Sequence, residues 1–143
     1  MDATSVRPVP IAQTRALRQA VLRPEDTFEQ LALHESKDAF AVGAFYAQQL
    51  IAVGFIAPDG EPGGWRLRGM ATAPHARRAG TGTLVLHALL SHARAHGAGR
   101  IWCNARTPAR VFYERAGFRA VSDVFEIPGI GPHVVMELTD TAV

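Results

Sequence analysis

Between Pro10 and Leu22 the apolar residues Ile11, Ala12, Ala16, Leu17, Ala20 and Val21 recur at helical spacing, and Pro24 stops the segment. Phe28 to Leu33 reads as a second, short helix. From Ala39 the pattern turns to β-rich runs. Ala39 to Tyr46 and Leu50 to Ala57, joined by Ala47-Gln48-Gln49, predict a hairpin. Asp59-Gly60-Glu61-Pro62-Gly63-Gly64 is a loop by its turn chemistry. Trp65 to Thr72 then predicts a strand ended by Pro74, with Trp65, Leu67, Gly69 and Ala71 on one face and Arg66, Arg68, Met70 and Thr72 on the other.

A longer helix follows, from about Gly80 to His96. Val85, Leu86, Leu89, Leu90 and Ala93 form its apolar face and Gly97 stops it. Arg100 to Arg106 is the next strand, with Ile101, Cys103 and Ala105 on one face and Trp102, Asn104 and Arg106 on the other. Thr107 and Pro108 suit the N-cap and first residue of a helix reaching Ala116, closed by Gly117. Two further strands, Phe118 to Ile127 and His133 to Leu138, flank the loop Pro128-Gly129-Ile130-Gly131-Pro132. With no internal repeat and no long linker, the pattern predicts one α/β domain over residues 1–143, a mixed sheet with helices packed on it.

Composition narrows the classes. At 143 residues and 48% hydrophobic, a chain can bury roughly two-thirds of its unfolded surface without staples. A single cysteine, Cys103, excludes an internal disulfide and a multi-cysteine zinc site, and its place on a strand face marks a buried thiol. No apolar run approaches the roughly 20 residues that span a bilayer. Met1 to Ser5 lacks the basic and apolar regions of a signal peptide, so a cytoplasmic setting is expected. Fourteen of the fifteen basic residues are arginine, spread from Arg7 to Arg119 without a dense stripe, which argues against a nucleic-acid partner. His92 and His96 are four apart on a helix, but no His-Glu-x-x-His arrangement and no third ligand accompany them, so no metal is expected.

The most informative stretch is Arg77-Arg78-Ala79-Gly80-Thr81-Gly82-Thr83, between a strand and a helix. Glycines at 80 and 82 let a phosphate approach the backbone, and the free N–H groups and dipole of the helix start face that anion. Arg77 and Arg78 add positive charge. The plain alternative is a glycine-rich helix start that binds nothing. A Walker loop is excluded, because Thr83 and Leu84 follow Gly82; a dinucleotide fingerprint needs glycine where Val85 stands.

Arg77-Arg78-Ala79-Gly80-Thr81-Gly82 resembles the Arg/Gln-x-x-Gly-x-Gly/Ala motif of the GNAT (N-acetyltransferase) superfamily. Met70-Ala71-Thr72-Ala73-Pro74 is similar to the family's strand end. Ala109-Arg110-Val111-Phe112-Tyr113-Glu114-Arg115-Ala116-Gly117-Phe118 is similar to its Ala-x-x-Leu/Phe-Tyr-Glu-Lys-x-Gly-Phe helix. The resemblance is clear from Trp65 to Phe118 and looser elsewhere. It implies a mixed, mostly antiparallel sheet with helices on both faces, and a splay between the family's fourth and fifth strands, here 65–72 and 100–106. A bulge at Gly69 would produce that splay.

The resemblance also implies an acetyl-CoA-dependent N-acetyltransferase acting by direct attack in a ternary complex. Arg77, Arg78, Ala79, Gly80, Thr81, Gly82 and Thr83 would bind the coenzyme A pyrophosphate, and Met70, Ala71 and Thr72 the pantetheine. The Met70 N–H would donate to the developing oxyanion. Tyr113 would be the general acid to the leaving thiolate. Many relatives carry asparagine where this chain has Arg106; Asn104, on the same strand face, is the nearest substitute beside the cofactor. The general base is not legible: Glu126, His133, Glu35 and Asp38 are candidates and each is also an ordinary surface residue.

Arg66, Arg68 and Arg106 would converge near the acetyl group if their strands are neighbours. There they would clamp a carboxylate or phosphate of a small-molecule amine acceptor, rather than a polyamine. Their alternative is pairing with Glu126 or Asp123, or reaching solvent. No membrane partner is expected, and a homodimer is compatible with the pattern. The rival readings are a coenzyme A-binding module without catalysis and a nucleic-acid-binding domain.

Overall fold

The structure is a computed structural model and describes residues 3–77 and 79–139. Along it run β1 (Ser5–Pro8), a 3-10 turn over Ile11–Thr14 leading into α1 (Arg15–Val21), α2 (Phe28–Ala32), β2 (Phe40–Tyr46), β3 (Gln49–Pro58) and β4 (Gly64–Thr72). Then come α3 (Thr81–Ala95), β5 (Arg100–Arg106), α4 (Arg110–Arg115), β6 (Arg119–Ala120), β7 (Phe125–Ile127) and β8 (Gly131–Leu138). The strands form one sheet in the order β1-β2-β3-β4-β5-β8-β6, with β7 also paired to β8. Only β4 and β5 pair in parallel; the other pairs are antiparallel.

Helices cover both faces. On one, α3 buries Val85, Leu86, Leu89, Leu90 and Ala93, the residues its apolar spacing marks out. They meet Ile56, Leu67, Ile101 and Met136 in the main core, which also takes in Tyr113 of α4. At about 1.5–3 kcal/mol per fully buried aliphatic side chain, this packing holds α3, whose N-cap supplies no side-chain bond. On the other face lie α1 and α2, and there Phe55 of β3 and Leu31 of α2 are both buried. Five-residue α2 relies on a capping box: the Thr27 hydroxyl accepts from the Gln30 N–H while the Thr27 N–H donates to the Gln30 side chain.

The β2–β3 hairpin turns on two residues, Ala47 and Gln48, both at positive φ, a turn whose twist suits the flanking strands. Two-residue β6 and three-residue β7 replace the single strand expected over Phe118–Ile127. The interruption is local. The Val135 N–H donates to the Ser122 hydroxyl, which donates to the Asp123 carbonyl, so the chain leaves the ladder there. Thr107 does not cap its helix either. It opens a 3-10 turn, Thr107–Ala109, and neither that turn nor α4 has a side-chain cap. β1 is absent from the sequence reading; Ser5-Val6-Arg7-Pro8 has a single large apolar residue in the ladder and borrows its conformation from β2.

The bulge in β4 shapes everything that follows. Val53 pairs with Ala71 and Phe55 with Arg68, so one residue, Gly54, opposes both Gly69 and Met70. Gly69 takes φ +67°, and a Cβ there would lie 2.6 Å from the Phe55 ring. Glycine meets both constraints. Beyond the bulge the alternation flips. Arg66 and Arg68 face α1 and α2, but the Met70 sulfur packs beside Gly54, Leu89 and Val85 on the α3 face, and the Thr72 hydroxyl adjoins Gly82. The expectation that Arg66, Arg68, Met70 and Thr72 share a face is therefore corrected by the extra residue.

β4 and β5 pair over only three rungs: Gly64 with Arg100, Trp65 with Ile101 and Arg66 with Trp102. β5 stays paired with β8 as far as Arg106 and His133. A gap consequently opens between the second half of β4 and the second half of β5. Among the described residues no helix is long and apolar enough to cross a membrane.

Candidate active site

The gap holds a cavity of about 180 Å³. Arg66, Arg68, Gly69 and Met70 line it from β4, and Cys103, Asn104 and Arg106 from β5. Tyr113 closes it from the α4 side, and His133 lines it from β8. Arg18, Arg23 and His34 complete it from the α1–α2 side.

Tyr113 is only 7% exposed. Its ring packs edge-on against Phe112 and Phe118, with centroids 5.1 and 5.6 Å away. No described residue hydrogen-bonds its hydroxyl. Burial, and secondarily the neighbouring Cys103, push this phenol well above its ordinary value, so it keeps its proton at any working pH. Cys103 is itself pushed up to about 12 by burial, which Arg66 only partly offsets. A thiol held protonated is a packing residue, not a nucleophile.

The start of α3 adjoins the end of the gap. Gly80 is its N-cap, left-handed at φ +78°, and no acidic side chain occupies its first turn. The first-turn N–H groups therefore lack an intrahelical partner. A Cβ at Gly82 would sit 3.2 Å from the Thr72 hydroxyl and 3.5 Å from the Phe112 ring. The glycine thus brings the helix backbone close to the end of β4 and to α4 with no side chain between them. Ala79, Gly80 and Thr83 are exposed, and Thr81 is buried. The Arg77 Nε donates to the Thr72 carbonyl at 3.3 Å. Arg78 lies outside the described residues. Ala71 and Thr72 pair with Val53 and Ala52, leaving their other edge toward the gap.

The four candidate bases separate cleanly. Glu126 is exposed and outside the cavity: Ile127, its neighbour on β7, lines the wall, so alternation turns Glu126 outward. Asp38 is exposed as well. Glu35 is bound on two sides, to Arg15 at 2.7 Å and Arg18 at 2.6 Å. His133 is 5% exposed and lines the cavity. Its Nδ1 lies 2.8 Å from the Gly131 carbonyl, which can only accept, so Nδ1 is the donor there and, in the neutral tautomer, Nε2 carries the lone pair.

The Arg15–Glu35–Arg18 cluster was invisible to sequence patterning, because no periodicity links residues so far apart. Arg18 and Glu35 have side chains 4% and 7% exposed. Burial alone would raise the Glu35 carboxyl, but the hydrogen bonds and charges of Arg15 and Arg18 outweigh it and hold the group below its ordinary value. A depressed acid contributes stability above its unfolded value, near 4.5, and loses it as pH falls through the folded value. Glu35→Gln is expected to cost roughly 3–5 kcal/mol at pH 7, since it strands the Arg18 charge. Urea midpoints at neutral pH and near pH 3 check this. The variant's deficit should shrink on acidification; a constant deficit would show that the carboxylate charge is not what matters.

His92 and His96, four apart, are engaged otherwise. His92 stacks flat on Phe40 at 3.7 Å, and the His96 Nδ1 lies 2.8 Å from the His92 carbonyl. Trp65 meets both rings.

Comparison with known proteins joins this geometry to a lineage. The family model for the acetyltransferase (GNAT) domain matches residues 11–139. YitI, an uncharacterized N-acetyltransferase of Bacillus subtilis (strain 168), is 35% identical over 94% of this chain and 95% of its own. The ribosomal-protein-S18-alanine N-acetyltransferase of Escherichia coli superposes with a TM-score of 0.80 at 14% identity, covering 99% of this chain and 96% of that one. An aminoglycoside 6'-N-acetyltransferase complexed with coenzyme A superposes at 0.76 with 16% identity, over 94% and 96%. The bulged fourth strand, the parallel pair that parts after three rungs, and a family match over most of the length lead to one conclusion: this chain belongs to the GNAT acetyltransferase family.

Proposed function

We propose that this protein transfers the acetyl group of acetyl-CoA to the primary amine of a small acceptor while both are bound. The observation that carries the reading is the gap between β4 and β5, with Tyr113 at its base and the open start of α3 at its end. The residues present fit the cosubstrate, because Gly82 puts no side chain between the N–H groups that open α3 and the end of β4. Backbone N–H groups over residues 79–83, with Arg77 and Arg78, would hold its anionic part, and Met70, Ala71 and Thr72 its amide-bearing arm. When bound, acetyl-CoA supplies an activated thioester.

The chain's own groups then divide the work. The Met70 N–H stabilises negative charge on the carbonyl oxygen. As the N–C bond forms and the C–S bond breaks, the His133 Nε2 takes the ammonium proton and the Tyr113 hydroxyl gives one to sulfur. A phenol raised by burial remains a competent donor here, because the same dry surroundings raise the thiol being formed. Asn104 lines the wall beside these groups.

Thiol release from acetyl-CoA with a panel of primary amines tests the reading. Turnover with at least one amine is expected, and His133→Gln should lower kcat/KM by roughly 10²-fold. Heat stabilisation by acetyl-CoA without release for any amine would leave a binding module instead. Unchanged turnover in His133→Gln would remove that residue from proton transfer.

A further inference from the structure

Charge in the cavity is one-sided. Arg18, Arg23, Arg66, Arg68 and Arg106 line it, and among the described residues no aspartate or glutamate does. Three of these arginines have a carboxylate outside the lining: Arg18 has Glu35 at 2.6 Å, Arg23 has Asp26 at 3.7 Å and Arg66 has Asp59 at 3.9 Å. Arg68 and Arg106 have no carboxylate within ion-pairing distance among the described residues, Asp123 and Glu126 included. Their hydrogen-bond partners are neutral. The Arg68 Nη2 donates to the His34 Nδ1 at 3.3 Å, and the Arg106 Nη2 donates to the Leu22 carbonyl. His34 is kept neutral by burial and then by the charges of Arg23 and Arg68.

Both free guanidiniums are half-buried. Burial, then repulsion from Arg66, lowers Arg68 to about 10, which leaves it charged at neutral pH. Arg106 is lowered by burial and by Arg23. A fold gains nothing from two partly desolvated cations held without counter-charge, unless an anion arrives to pair with them. Their positions suit one anion. Arg68 stands on β4 just past its last rung with β5, and Arg106 stands on β5 past the same rung, so they occupy the opposing walls of the gap. The Arg66 Nε, buried and unpartnered, is a further donor nearby; the guanidinium carbon of the same side chain lies 4.6 Å from the Trp102 ring centroid.

We propose that the amine acceptor carries an oxyanion, a carboxylate or a phosphate, which Arg68 and Arg106 hold from the two walls of the gap. The proposal rests on the transfer reading above and narrows its substrate class. Guanidiniums bind such groups with two parallel hydrogen bonds, and the same field repels polyamines.

Matched acceptors decide it: amino acids against their amides, phosphoethanolamine against ethanolamine, and spermidine, each assayed by thiol release from acetyl-CoA. The wild type should prefer the anionic member of at least one pair, and which pair shows the preference tells carboxylate from phosphate. Arg68→Gln and Arg106→Gln should each lower that ratio of kcat/KM by about tenfold or more, the scale of a charge-assisted hydrogen bond. Equal use of both members, or spermidine as the best acceptor, overturns the proposal. So does an Arg68→Gln variant whose ratio is unchanged while its affinity for acetyl-CoA falls, which would assign the arginine to the cosubstrate. The same pairs are also measured as heat stabilisation of the coenzyme A-saturated protein. If no amine releases thiol, the transfer reading fails separately. The anion site then stands if the anionic members alone stabilise the wild type and neither arginine variant, and falls if they do not.

Discussion

Gly82→Asp is expected to abolish the heat stabilisation that acetyl-CoA gives the wild type, while the variant without ligand still folds cooperatively and melts only slightly lower. At a hundredfold excess over Kd, a ligand that binds only the folded state adds about 2.7 kcal/mol, several degrees in Tm for a chain of this size. The new carboxylate would sit between the Thr72 hydroxyl and Phe112, at the helix end where the proposed anion lies. It excludes that anion by charge and by bulk. The fold should tolerate it once the Thr72 hydroxyl, 3.2 Å from the new Cβ, gives by a few tenths of an ångström. The first turn of α3 has no acidic residue, and one placed there interacts favourably with the helix dipole, by roughly 0.3–1 kcal/mol. Gly82 also has a φ that other residues adopt, so no backbone strain accompanies the change. Differential scanning with and without acetyl-CoA measures both effects. Wild-type stabilisation in the variant would place the cosubstrate's anionic part elsewhere.

Tyr113→Phe is expected to lower kcat by roughly 10²–10⁴-fold and leave the affinity for acetyl-CoA nearly unchanged. The hydroxyl has no partner among the described residues, so its removal leaves no stranded group, and phenylalanine keeps the packing against Phe112 and Phe118. An interaction made only as the thiolate departs should lower kcat and kcat/KM together. The check is steady-state kinetics, with the acetyl-transfer step confirmed as rate-limiting by single-turnover measurement. A variant as fast as the wild type would take Tyr113 out of the mechanism.

Local patterning captured the elements whose conformation is decided locally. The apolar face of α3 follows from spacing alone, since one buried stripe settles which residues point inward. The parting of β4 from β5 came instead from the family resemblance, which pointed to a bulge at Gly69, a residue whose positive φ only glycine takes easily. The facing of Met70 and Thr72 was misread because strict alternation and a bulge cannot both hold along one strand. Long-range pairings were out of reach. Nothing in the spacing of Arg18 and Glu35, or of Arg106 and Leu22, announces their contacts. His133 and Glu126 are equivalent on paper and separate only once β7 and β8 are paired.

The outer rims of the sheet are short: β1 has four residues and ends at Pro8, β6 has two, and β7 has three before Pro128. Neither rim offers another chain a long ladder, which protects against strand-to-strand aggregation. The longer open edges lie inside, where β4 after Arg66 and β5 after Trp102 face each other without pairing. Strand addition is therefore directed inward. A slender ligand with its own amide groups can complete the sheet there as a short surrogate strand, whereas a second polypeptide would have to reach past the helices covering both faces.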